Sequence, residues 1–179
     1  MHQQRLRWRA AAGAAIVEGQ VTDNERETHM SRVEESIEVN VPVRTAYNQW
    51  TQFESFPQFM TGVESITQID DTHNHWVTSV GGVKREFDTE ITEQTPDERI
   101  VWTTVAGETK QHGVVTFQSL DATTTRVTTQ IEWQPEGLAE KVGDAIGVDD
   151  HRVKADMKKF KEFIESRGVE TGSWRGDVD

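Results

Sequence analysis

The sequence predicts an α+β fold in which a curved antiparallel sheet of about seven strands carries two short helices after its first strand and a long helix at its C-terminal end. Two observations predict it. Between residues 63 and 133, β-branched and aromatic residues alternate with polar ones and the alternation breaks at turn chemistry. Residues 138–167 instead repeat apolar side chains at threes, fours and one seven, which puts them on one helical face. At 179 residues the chain has the length of one domain. It divides into an N-terminal extension over 1–30, a folded domain over 31–168 and a tail over 169–179.

Each element has its own warrant. Ile37, Val39 and Val41 alternate with Glu38 and Asn40, a half-buried first strand that Pro42 stops. Pro42 then suits the start of a helix, where Val43, Ala46, Tyr47 and Trp50 recur at three and four. Residues 54–60 read as a second helical or turn segment, with Phe53, Phe56, Phe59 and Met60 clustered around Pro57. Six strands follow, over 63–70, 73–80, 83–94, 100–105, 111–120 and 124–133. Short turns join them, of which Gly81-Gly82 is the strongest hairpin signal, so the strands form a meander. Pro135 and Gly137 end the last strand. In the final helix Val142, Ile146, Val153, Met157, Phe160 and Ile164 share a face, Gly143 and Gly147 suggest a kink or a close approach, and Gly168 is the stop.

Composition excludes several functions. Nineteen basic against 31 acidic residues give a net charge of −12, which opposes nucleic acid phosphate and anionic lipid. Residues 1–30 hold four charges of each sign, so the folded part carries the whole imbalance. Acidic pairs such as Asp149-Asp150 and Glu34-Glu35 then serve solubility. With no cysteine there is neither a disulfide nor a thiolate metal site, and a reducing cytoplasm is the expected compartment. The apolar stretch 10–17 follows a basic start but ends at Glu18, too short to span a bilayer, so no integral membrane segment is expected. Met30 directly precedes the first ordered pattern, which suggests translation from Met30; residues 1–29 in the intact mass of the native protein would refute it.

The order of elements, together with particular stretches, resembles the START-like or SRPBCC superfamily, and within it the polyketide cyclase/dehydrase and coenzyme Q-binding group. The resemblance covers about residues 32–167. It is carried by Ile37-Glu38-Val39-Asn40-Val41-Pro42, Tyr47-Asn48-Gln49-Trp50 and Phe53-Glu54-Ser55-Phe56-Pro57-Gln58-Phe59-Met60, then by Glu90-Ile91-Thr92, Pro96-Asp97-Glu98-Arg99-Ile100-Val101-Trp102 and Trp133-Gln134-Pro135. It implies a helix grip, in which the last helix closes a deep hydrophobic cavity against a concave sheet. It also implies a lipid, polyketide or quinone-like ligand. The superfamily holds enzymes and carriers alike, so the resemblance does not imply one chemistry.

Candidate ligand-binding residues are Phe59, Met60, Trp76, Arg85, Phe87, Trp102, Phe117, Trp133 and Met157. Any one of the aromatics taken alone reads first as ordinary core, and only as a set with the resemblance do they favour a cavity. Arg85 shares strand parity with Phe87, so its guanidinium either points inward to hold a ligand carbonyl or carboxylate or reaches water near the hairpin end. His112 is the lesser candidate for proton transfer, against a structural or exposed role. His73 and His75 share a strand face but lack a third ligand and read as surface residues, while Tyr47 reads as packing. No metal and no cofactor is called for. The leading expectation is a carrier or binding protein for a small hydrophobic ligand, gated by the last helix and the Phe56-Pro57-Gln58-Phe59-Met60 segment. The alternatives are a cyclase/dehydrase using Arg85 or His112 in the same cavity, and a protein-interaction module in which the cavity is collapsed.

Overall fold

The computed structural model describes residues 31–134 and 150–179. Seven strands form one antiparallel sheet in the order β1-β7-β6-β5-β4-β3-β2. They are β1 (Ser31–Val39), β2 (Val63–Gln68), β3 (His73–Val80), β4 (Val83–Thr95), β5 (Arg99–Gly107), β6 (Gln111–Ser119) and β7 (Thr125–Trp133). Helix α1 (Val43–Trp50) and a 3-10 helix (Phe53–Gln58) separate β1 from β2, and α2 (Asp150–Arg167) follows β7. This is the helix-grip architecture. Of the expected final helix, 138–149 lies outside the described residues, as do Pro135, Gly137, Val142, Gly143, Ile146, Gly147 and the extension over 1–30.

The meander follows its turn chemistry. Gly81 and Gly82 have φ of 57° and 82°, and Val80 pairs with Val83, so this two-residue hairpin uses a backbone region that disfavours other residues. The register shifts in the β4–β5 pairing, between Asp88 and Thr89 and again between Ile91 and Glu93. Such bulges bend a strand and increase its twist, which helps the sheet curl around its concave face.

Several boundaries differ from the sequence reading: β2 ends at Gln68 rather than 70, β5 runs over Arg99–Gly107 rather than 100–105, and β1 stops at Val39 rather than Val41. β1 begins at Ser31, before the apolar alternation, because it is an edge strand zipped to β7 from Ser31↔Trp133 to Val39↔Thr125. Its charged residues are held by that ladder, with Arg32 and Glu34 paired on the exposed side. It stops at Val39 because the Asn40 N–H turns to the Glu165 carboxylate on α2, 2.7 Å away.

α2 closes over the concave face. Val153, Met157, Phe160 and Ile164 are its buried residues, and their spacing of four, three and four makes one stripe. Phe160 meets Trp50 and Phe59, each at 5.3 Å between ring centres, and Trp50 also meets Phe56 and Phe117. Lys161 reaches the Glu38 carbonyl at 2.6 Å, tying the helix to the edge strand. Gly168, with φ of 70°, ends the helix by donating its N–H to the Ile164 carbonyl.

Residues 169–179 run back along α1. Glu170 and Arg175 engage the two ends of the Asn48 amide, and Thr171 bonds Gln49 through both its N–H and its hydroxyl. Arg175 also makes a two-pronged ion pair with Asp97, at 2.7 and 3.0 Å. Val178 and Gln94 exchange backbone hydrogen bonds. The segment expected as a tail is therefore a strap across the first helix.

Candidate ligand cavity

A cavity of about 130 Å³ lies between the sheet and the helices. Strand alternation builds its floor: Asn74, Trp76 and Thr78 on β3 share a face with Phe87, Thr89 and Ile91 on β4. Trp76 and Phe87 are directly paired and stack at 5.8 Å, and the Trp76 indole donates to the Thr89 hydroxyl at 2.9 Å. Trp102 on β5 forms another wall. Its ring lies over Gly113, the residue paired with it on β6, where any Cβ would overlap the indole. Glycine at 113 thus sets the position of that wall. Trp50, Phe53, Phe56 and Met60 close the helical side.

The mouth is polar. Thr61 is held at three atoms by three residues of α2: its carbonyl accepts from Arg152 Nε at 3.0 Å, its N–H donates to Asp156 at 2.9 Å, and its hydroxyl accepts from Lys159 at 2.5 Å. Positions 152, 156 and 159 are spaced by four and three, so one face of α2 grips one residue. Thr61, Gly62, Arg152 and Asp156 all line the cavity. Burial raises the Asp156 carboxyl above its ordinary range, against the hydrogen bonds from Thr61 that stabilise its charge.

Three lining residues carry buried polar atoms with no hydrogen-bond partner among the described residues. They are Trp50 Nε1, Asn74 Oδ1 and Thr109 Oγ1.

Of the residues singled out from the sequence, Met60, Trp76, Phe87 and Trp102 line the cavity. Phe59, Phe117 and Met157 are buried in the surrounding core, and Trp133 packs against that core. Arg85 pairs with Thr78 on the inward-facing register but is not a lining residue, and its Nε is buried without a partner among the described residues. His112 alternates with the lining residue Gln111 and the buried Gly113, so it falls on the opposite face of β6. His73 pairs with Asp70 and His75 with Asp88, both partly exposed. Among the described residues no group of three His, Asp or Glu could hold a metal. No helix among them is long and apolar enough to cross a membrane. Sequence reasoning passed over Asn74, although its alternation with Trp76 marks its face. Thr109 lies in the link between β5 and β6, where no periodicity points anywhere.

A sequence profile described as polyketide cyclase/dehydrase and lipid transport matches residues 39–162. The chain belongs to this family. An uncharacterized 17.2 kDa protein of Streptomyces lincolnensis is 63% identical over 149 residues, which is 83% of this chain and 99% of that protein. Among solved structures, a START superfamily protein from Mycobacterium smegmatis has a TM-score of 0.56 at 16% identity, covering 76% of this chain and 95% of its own. An aromatase/cyclase from a Streptomyces species has a TM-score of 0.55 at 13% identity, covering 78% and 87%. At these identities the structural likeness is one of fold.

Proposed function

We propose that the protein is a carrier or binding protein that takes a small hydrophobic, ring-bearing molecule into the cavity between its sheet and α2. The observation that carries this reading is the unfilled volume of about 130 Å³, walled by Trp50, Trp76, Phe87 and Trp102. A dry cavity of about 150 Å³ is large enough to bind benzene. The closed form therefore suits a single ring. A longer lipid, polyketide or quinone tail requires release of Thr61 from Arg152, Asp156 and Lys159, which makes the Met60–Thr61–Gly62 stretch and α2 the gate. The cyclase/dehydrase alternative draws no support from Arg85 or His112, neither of which lines the cavity.

Native mass spectrometry of protein purified from its own host is expected to detect a co-purifying hydrophobic molecule. Thr129 lines the cavity from β7 at 4% exposure, so Thr129→Phe puts a ring into the space the ligand would use. That variant is expected to fold and to lose the adduct. An adduct retained at full occupancy by Thr129→Phe would place the ligand elsewhere and overturn the reading.

A further inference from the structure

We propose that Trp50, Asn74 and Thr109 are the specificity-determining residues of the cavity, and that they select an uncharged ring compound bearing a hydroxyl group over the corresponding hydrocarbon. This rests on the cavity being a ligand site, and deepens that reading by naming the polar chemistry of the ligand.

The three residues stand on different walls: Trp50 ends α1, Asn74 lies on β3, and Thr109 lies between β5 and β6. They are 3%, 1% and 4% exposed, and Trp50 Nε1, Asn74 Oδ1 and Thr109 Oγ1 lack partners among the described residues. Buried polar side chains are normally paired, as the Trp76 indole N–H in the same cavity is by Thr89. Three orphans around one small cavity therefore call for an explanation in the cavity itself.

Their chemistry defines what would pair with them. An indole N–H only donates, so it needs an acceptor. A carboxamide presents oxygen or nitrogen to the same place by a flip, and a threonine hydroxyl donates or accepts. A hydroxyl is the smallest ligand group that both donates and accepts, so it suits the indole, the amide and the threonine alike. The ligand should be neutral, because a buried charge needs a charged partner. The charged side chains lining the cavity, Arg152 and Asp156, are both at the mouth and both engaged with Thr61.

Calorimetric titration of the full chain with toluene and its para-hydroxyl and para-carboxylate derivatives, p-cresol and p-toluate, tests the proposal on one ring with the polar group varied. In the unmodified protein p-cresol is expected to bind about tenfold or more tightly than toluene, the scale of one net hydrogen bond in a buried site, and p-toluate more weakly than p-cresol. Asn74→Leu and Thr109→Val, each verified as folded by its melting transition, are expected to shrink the cresol advantage to about threefold or less while toluene binding is kept. Equal binding of cresol and toluene, or an advantage unchanged in both variants, would overturn the selection by these residues and leave the hydrophobic site standing. Failure of both neutral ligands to bind would instead overturn the cavity reading, and this inference with it.

Discussion

Phe160→Ala is expected to lower the free energy of unfolding by about 3–5 kcal/mol, the range for removing a fully buried phenylalanine ring. Phe160 is 0% exposed and sits where α2 meets the rest of the aromatic core, touching Trp50 and Phe59 at 5.3 Å each. The loss combines the transfer of the ring with a void that the neighbouring rings fill only in part. Against a total stability of roughly 5–15 kcal/mol for a small domain, that is a large share. Urea denaturation followed by far-UV circular dichroism measures it. A loss under about 1 kcal/mol would mean that α2 does not depend on this contact for its seat on the sheet.

Deletion of residues 169–179 is expected to cost about 2–5 kcal/mol, although the segment contains no strand or helix of its own. Its loss leaves two amides on α1, Asn48 at 2% exposure and Gln49 at 0%, without the groups that satisfy them. Leaving a buried polar group unpaired costs about 1–3 kcal/mol each. Gln49 would keep one bond, to Ser55 at 3.0 Å, which holds the estimate below the sum for two fully orphaned amides. The Arg175–Asp97 pair adds less, being partly exposed. The same denaturation experiment measures the effect. A truncated chain as stable as the full one would show that water replaces the strap without penalty.

These two expectations mark what the sequence does and does not disclose. The hairpin at Gly81-Gly82 and the strand His73–Val80 are legible because local turn chemistry and alternation agree with the tertiary structure. The first half of β1 is less so: ordered patterning starts directly after Met30, but Arg32, Glu34 and Glu35 fall outside the apolar alternation and owe their strand conformation to β7, about a hundred residues away. The strap is hidden for the same reason. A polar stretch after a helix-stopping glycine reads as a tail unless its partners, Asn48, Gln49 and Asp97, are already known to be near.

The site was half legible for a physical reason too. Alternation tells which face a side chain takes, so Trp76 and Phe87 could be placed on the concave side. It does not tell depth along the groove. Phe117 shares the inward face of β6 with Val115, a lining residue, yet it packs edge-on against Tyr47 at 5.4 Å, under α1, where the groove is filled. Trp133 occupies the far end of β7, paired with Ser31 and Gln111. Whether such residues wall a cavity or fill a core depends on how α1 and α2 are seated, which no local pattern encodes.

Crystals of the full chain pressurised with xenon address the central claim most directly, because xenon enters apolar cavities without needing hydrogen bonds. Xenon density is expected among Trp50, Trp76, Phe87 and Trp102, and is expected to vanish in Thr129→Phe. Side chains packed solidly through that space, with no xenon bound there, would contradict the account.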